Sequence, residues 1–143
     1  MKIGRYFILL ILVIPVLILR DFTPNNELKY LSIVDEALRD GHFFTFYHQG
    51  ELYADKPPLY FWLLMLSKWI WGEYNMFGLS LFSIIPALIS IYIMNKWVEE
   101  DTTASLRWSG SLMLFTSAFF IGSGLVLRMD MLMCMFILLA LYT

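Results

Sequence analysis

Charge is scarce in this chain: Lys, Arg, Asp and Glu make up 15% of 143 residues, against about 25% in ordinary soluble domains. Basic residues are no excess either. Ten Lys and Arg face twelve Asp and Glu, for a net charge of −2. No basic stripe exists to neutralise phosphates, which excludes a nucleic-acid partner. Cysteine is nearly absent. The single thiol, Cys134, lies in an apolar run, so no disulfide closes within the chain and the residue reads as a small buried hydrophobe. What replaces charge is apolar, with 59% hydrophobic and 17% aromatic residues. A chain this short can bury one core but not that much apolar surface. Lipid resolves the excess.

The spans follow from runs without charge. Residues 6–19 form the first, entered past Lys2 and Arg5 and left at Arg20-Asp21. Twelve of its residues are Phe, Ile, Leu or Val, which favours insertion by about 4–7 kcal/mol. Pro15 is tolerated in a spanning helix. The basic start also suits a signal peptide, but no small-residue cleavage site follows before Pro24. An uncleaved anchor with a cytoplasmic N-terminus is the expectation. Residues 75–94 and 108–127 are each charge-free over about the 20 residues a crossing needs, and 131–143 opens a fourth apolar run that stops mid-helix, as in a piece of a longer protein. The expected fold class is all-α. It is a polytopic membrane protein of about four spans, with an extracytoplasmic segment over 20–74.

Residues 57–71 are ambiguous. They are apolar and aromatic, yet Lys68 interrupts them and only residues 57–67 run without charge, a length more common in interfacial or re-entrant segments. Tyr60, Trp62, Trp69 and Trp71 suit the headgroup level. Read as an interfacial helix, this segment leaves 95–107 cytoplasmic and brings Arg128-Met129-Asp130 out on the side of the long loop. Read as a span, it reverses both.

Within the loop, an amphipathic helix is expected from about Thr23–Asn26 to Gly41. Thr23 or Asn25 would cap it, Pro24 suits the first turn, Glu27 suits the positive end and Gly41 the left-handed stop. Lys29, Ser32, Glu36 and Arg39 make a polar stripe opposite Tyr30, Leu31, Val34, Ala37 and Leu38. Residues 42–53 are aromatic, turn at Gln49-Gly50, and read as irregular. His42 and His48 match no usual helical metal-ligand spacing and read as interfacial histidines.

The run Asn26-Glu27-Leu28-Lys29-Tyr30-Leu31, then Gly41, then Tyr53-Ala54-Asp55-Lys56-Pro57-Pro58-Leu59-Tyr60-Phe61-Trp62, resembles the first extracytoplasmic loop of the family 39-like glycosyltransferases of the GT-C fold. That group includes protein O-mannosyltransferases and lipid A aminoarabinose transferases. Arg128-Met129-Asp130 is similar to the family's recurring Arg…Asp at the start of a later span. The resemblance implies an enzyme of the bacterial inner membrane. It would move a sugar from a polyprenyl-phosphate carrier, on the outer face, to a lipid, glycan or protein acceptor. It implies that Lys56, with Arg128, meets the donor phosphate, that Asn26 and Tyr53 line the substrate site, and that Asp55 helps hold a divalent metal in some members. The family usually shows Asp-Glu where this chain has Asn26-Glu27, and an amide cannot take a proton. Glu27 is therefore the first substitute base, Asp130 the second and Asp21 the third.

Plainer readings stand beside these: Lys56 as a snorkelling loop lysine, Arg128–Asp130 as a structural pair capping two helices, and Glu27 as a helix-dipole partner. A transporter or lipid-flipping protein is the rival class, although broken helices with midplane charges in matched halves would suit it better.

Overall fold

A computed structural model describes residues 4–23 and 26–143. Among them run α1 (Gly4–Leu19), α2 (Glu27–Asp40), β1 (Tyr47–His48), β2 (Glu51–Leu52), α3 (Pro58–Trp71), α4 (Met76–Trp97), α5 (Ala104–Thr116), α6 (Ala118–Leu125) and α7 (Asp130–Tyr142). They form two compact units, one of Arg20–Leu79 and one of Met1–Leu19 with Ser80–Thr143.

In the first unit α2 lies against α3 and β1. The helix ends where expected, at Gly41 in the left-handed region (φ 74), whose N–H donates to Ala37 O. Its start differs. Pro24 and Asn25 lie outside the described residues, and Asn26 occupies the cap position without bonding through its side chain. Ile33 is fully buried while Leu38 is exposed, so the apolar face is turned toward Ile33 from the stripe expected. An aromatic cluster fills the space beneath. Phe61, fully buried, has ring centroids of Phe46, Tyr53, Tyr30 and Tyr60 at 4.5, 6.0, 6.2 and 6.4 Å, all within the range of favourable ring pairs. Lys68, which interrupts the apolar run of α3, finds its counter-ion on α2: Nζ lies 2.5 Å from Asp35 Oδ1 and 4.7 Å from the Tyr74 ring centroid. The Tyr74 hydroxyl donates to the same Asp35 oxygen at 2.6 Å. Burial, then Asp35, pushes the Tyr74 phenol well above its ordinary value.

Residues 47–52 correct the expectation of irregular chain and add strand to an all-α reading. They form an antiparallel hairpin pairing Tyr47 with Leu52 and His48 with Glu51. Gln49 (φ 56) and Gly50 (φ 82) both take the positive φ of a tight hairpin turn. Strands of two residues do not hold by themselves. Glu36 supplies the missing support, its two carboxylate oxygens accepting from the N–H groups of Gln49 and Gly50 at 2.9 Å each.

The second unit holds the apolar helices. α4, of 22 residues, is long and apolar enough by itself to cross a bilayer, while α1 and α7, of 16 and 13 residues, are shorter apolar helices. The single helix expected over 108–127 is two, α5 and α6, bent by 66°. Thr116 and Ser117 explain the break. Their hydroxyls donate to Leu112 O and Leu114 O, both at distances under 3 Å (2.7 and 2.8 Å), and Ser117 turns extended (ψ 135). Side-chain bonds of this kind compete with the helical ladder. α6 packs on α1, α5 and α7. Gly124 faces α4, where a methyl group would make ordinary contact with Ile84 Cδ1 at 3.4 Å and Ala87 Cβ at 3.7 Å.

Candidate functional site

The residues singled out from sequence fall into three clusters. The first surrounds the Asp-Lys-Pro-Pro block. α3 begins at Pro58 with Pro57 in an extended cap (φ −67, ψ 150) that makes no side-chain cap hydrogen bond. A helix start with no side-chain cap attracts anions, because the dipole leaves partial positive charge at that end. Lys56 stands directly before it, half-buried, with no acidic partner among the described residues. Beside it the Tyr53 hydroxyl donates to Asp55 Oδ2 at 3.3 Å, and Lys29 Nζ lies 4.7 Å from the Tyr53 ring centroid. Burial, followed by the neighbouring Tyr30 and Asp55, pushes the Tyr53 phenol up to about 12. It stays a neutral donor across the working pH range. Sequence puts Lys29 in a polar stripe and in the family-like run, with no role at the site; its place over Tyr53 makes a second cation for the cluster.

The second cluster is closed. Glu27 is fully buried at the first turn of α2. Arg20 donates from Nη1 to Oε2 at 3.0 Å and pairs with Oε1 through Nη2. The backbone N–H and hydroxyl of Thr23 donate to Oε2 at 2.6 and 2.9 Å. Three of these donors reach Oε2 and Arg20 Nη2 reaches Oε1, so both oxygens of the buried carboxylate are engaged. Sequence placed Glu27 as the first substitute base, with a helix-dipole partner as the plainer reading, and Thr23 or Asn25 as the cap. The structure inverts the roles, since the Glu27 side chain receives the Thr23 amide. Neither Arg20 nor its link to Glu27 was legible, because the two lie seven positions apart in the chain and no local rule pairs them. Asn26, next to Glu27, is exposed, and its carbonyl accepts from Tyr30 N–H at 3.1 Å.

The third cluster opens α7. Arg128 Nε lies 2.7 Å from Asp130 Oδ2, both side chains about half exposed at 48% and 47%. Ser83 fixes the approach, its Oγ donating to Arg128 O at 3.2 Å and accepting from Arg128 N–H at 3.4 Å. Asp130 sits in the first turn of α7, where the helix dipole favours a carboxylate. The pair exists as the plainer reading required, and both members also face solvent.

A divalent metal at Asp55 is a poor match to these donors. Asp55 has a phenol as its neighbour, and no group of three His, Cys, Asp or Glu gathers among the described residues. Hard divalent cations take six or more oxygens, usually from several carboxylates. His42 contacts the Tyr47 ring at 5.0 Å, and His48 Nδ1 lies 3.4 Å from Ser32 Oγ.

Comparison with known proteins carries the resemblance further. No family model matches the chain, and no solved structure matches it. Among curated proteins, an undecaprenyl phosphate-alpha-4-amino-4-deoxy-L-arabinose arabinosyl transferase of Pseudomonas savastanoi pv. phaseolicola is 30% identical over 99 residues, covering 67% of this chain and 18% of that protein. A transferase of the same name from Proteus mirabilis is 27% identical across 96% of this chain and 25% of its own length. An uncharacterized protein of Aquifex aeolicus is 28% identical across 93% and 28%. The chain thus spans about a fifth to a quarter of the length of the curated relatives it matches. Along most of its own length it is similar to proteins named as polyprenyl-phosphate aminoarabinose transferases.

Proposed function

We infer that this chain belongs to a membrane glycosyltransferase that draws its sugar from a polyprenyl-phosphate carrier. The observation that carries the reading is Lys56, with no acidic partner among the described residues, at a start of α3 that has no side-chain cap, within a stretch similar to two aminoarabinose transferases. The donor phosphate is an anion at the membrane surface. Lys56 meets it as a point charge and the α3 amides as a dipole. Tyr53, neutral and anchored by Asp55, presents an aromatic face to the sugar. Arg128 adds a second cation in this reading. No step is routed through a metal.

The reaction is a single displacement with inversion. An acceptor hydroxyl or phosphate on a lipid, glycan or protein attacks the anomeric carbon. A new C–O bond forms there as the bond to the carrier phosphate breaks, and the phosphate leaves with the electron pair. A carboxylate takes the acceptor's proton, a role that contributes typically 10²–10⁴-fold. Asn26 is excluded by its amide. Asp130, half exposed and held by one arginine, is our choice over Glu27, whose oxygens are already occupied. The spans 6–19, 75–94, 108–127 and 131–143 belong to this proposal, with the 20–74 segment on the outer face and the N-terminus cytoplasmic. The transporter reading gains nothing from relatives named as transferases.

Lys56→Ala and Lys56→Arg, made in the longest natural form of the protein, test the assignment. Transfer from a labelled polyprenyl-phosphate sugar should fall by about 100-fold with Ala, roughly the loss of one strong charged contact of 2–3 kcal/mol, with a weaker fall for Arg. Wild-type transfer by Lys56→Ala would remove the basis of the reading.

A further inference from the structure

An apolar groove of about 280 Å³ lies outside these clusters, between the last turns of α4 and the body of α5. Met94, Val98, Leu106 and Leu114 form its walls, and Gly110 leaves its centre open, since a methyl group built there meets nothing within 4 Å. One end is polar. Asn95, 8% exposed, donates from Nδ2 to Tyr6 Oη at 3.1 Å and to Ser111 Oγ at 2.7 Å, and Ser111 Oγ donates to Arg107 O at 2.8 Å. Arg107 completes that end with a side chain only 8% exposed.

Arg107 is incompletely satisfied. Nη1 donates to Glu99 O and Thr102 O at 2.9 and 2.6 Å, and Nη2 lies 3.7 Å from Glu99 Oε1. Its Nε is buried without a hydrogen-bond acceptor. A buried donor of that kind is costly to leave unmade. It is the polar feature expected where a ligand's acceptor belongs. The loop over this end reads Glu99-Glu100-Asp101, with Glu100 and Asp101 exposed and in no ion pair among the described residues. The site therefore offers three things in sequence: an apolar channel, a buried guanidinium N–H and an acidic rim.

We propose that this groove binds a zwitterionic aminophospholipid of the bilayer, with an acyl chain along Met94 to Leu114, the phosphate at Arg107 Nε and the primary ammonium toward Glu100 and Asp101. The order of charges selects this occupant. An anionic headgroup such as phosphatidylglycerol's would meet Arg107 but then be repelled by the acidic rim. A choline headgroup carries positive charge but no N–H to donate to the carboxylates. This site is separate from the sugar-transfer residues and does not depend on that reading.

The test is lipid retention. The full chain is delipidated, reconstituted in nanodiscs containing equal parts phosphatidylethanolamine, phosphatidylglycerol and phosphatidylcholine, and re-extracted with mild detergent. Lipid still bound is then identified by native mass spectrometry. The wild type should retain phosphatidylethanolamine at about tenfold over its bulk share. Gly110→Phe starts from a Cβ position that meets nothing within 4 Å and should bring retention to the bulk ratio while far-UV circular dichroism stays unchanged. Glu100→Gln/Asp101→Asn should keep a bound lipid but lose the preference among headgroups. A wild type that retains all three lipids at their bulk ratio overturns the proposal, as does a Gly110→Phe chain that retains phosphatidylethanolamine like the wild type. A photo-crosslinker placed at position 110 in cells should yield a phospholipid adduct, and an adduct only to another stretch of protein would overturn it equally.

Discussion

Removing either half of the Arg20–Glu27 pair should weaken the polar unit far more than a typical surface substitution. The carboxylate is fully buried and the guanidinium 18% exposed, so truncating one partner leaves the other desolvated and unpaired. Such losses run about 3–5 kcal/mol. For a chain of this size, at roughly 2–4 °C per kcal/mol, the midpoint should fall by about 6–20 °C. Arg20→Met and Glu27→Leu made together remove both charges. They should recover most of the loss, leaving about 1–3 kcal/mol for the Thr23 amide, which then has no acceptor. The assay is a double-mutant cycle read by tryptophan fluorescence melts in detergent, where the coupling between the two sites is the quantity sought. Activity divides the two roles of Glu27. As an anchor, Glu27→Gln and Arg20→Met should lower turnover and stability in parallel. Single substitutions worth under 1 kcal/mol, or a double that simply adds, would refute the anchor; so would a Glu27→Gln chain of native stability and no turnover.

Other outcomes follow from the same geometry. Asp130→Asn breaks only a half-exposed pair, so stability should change by less than about 1 kcal/mol, while sugar transfer by the full enzyme should fall by about 10²–10⁴-fold; equal modest effects on both would return the pair to a structural role. Gly50→Val places a branched side chain at φ 82 and should cost upwards of about 1 kcal/mol, and Glu36→Ala should release the same turn, both visible as faster amide exchange at residues 47–52. For Tyr53, the folded-state pKa of about 12 lies above the ordinary 10.0. The folded chain then holds a proton that the unfolded chain has lost. Stability from this group is intact below pH 10 and declines between pH 10 and 12, which ultraviolet titration of Tyr53→Phe against wild type would register as one missing late-titrating phenol.

Much of this architecture was legible because it follows local rules. Gly41 ends α2 since a left-handed stop suits glycine, and the apolar run of 6–19 gives α1 to within two residues at its start and none at its end. What sequence missed was set by partners distant in the chain. Residues 47–52 contain too few β-branched side chains to announce strands, and their pairing depends on Glu36, thirteen residues before Gln49. Glu27 looked like a residue at a helix start, and its burial comes from Arg20 folding back across Thr23. The break at Ser117 was hidden for the opposite reason. Hydropathy averages over 108–127, whereas two hydroxyls decide whether the ladder continues. In the candidate site, Tyr53, Asp55 and Lys56 were found as neighbours in sequence, but Lys29 joined them only through the fold.

The Glu36 clamp also sets an order of assembly. A hairpin of two residues per strand is not stable in isolation, and its turn amides need both oxygens of a carboxylate that points correctly only once α2 is helical. α2 must therefore form first, with the hairpin closing afterwards as its dependent. Phe46 precedes β1, and its carbonyl accepts from Tyr53 N–H at 2.8 Å, so the same closure carries Phe46 and Tyr53 onto Phe61. Closure of the hairpin thus completes the aromatic core, and local unfolding of α2 would disassemble the Tyr53 neighbourhood as a single cooperative block.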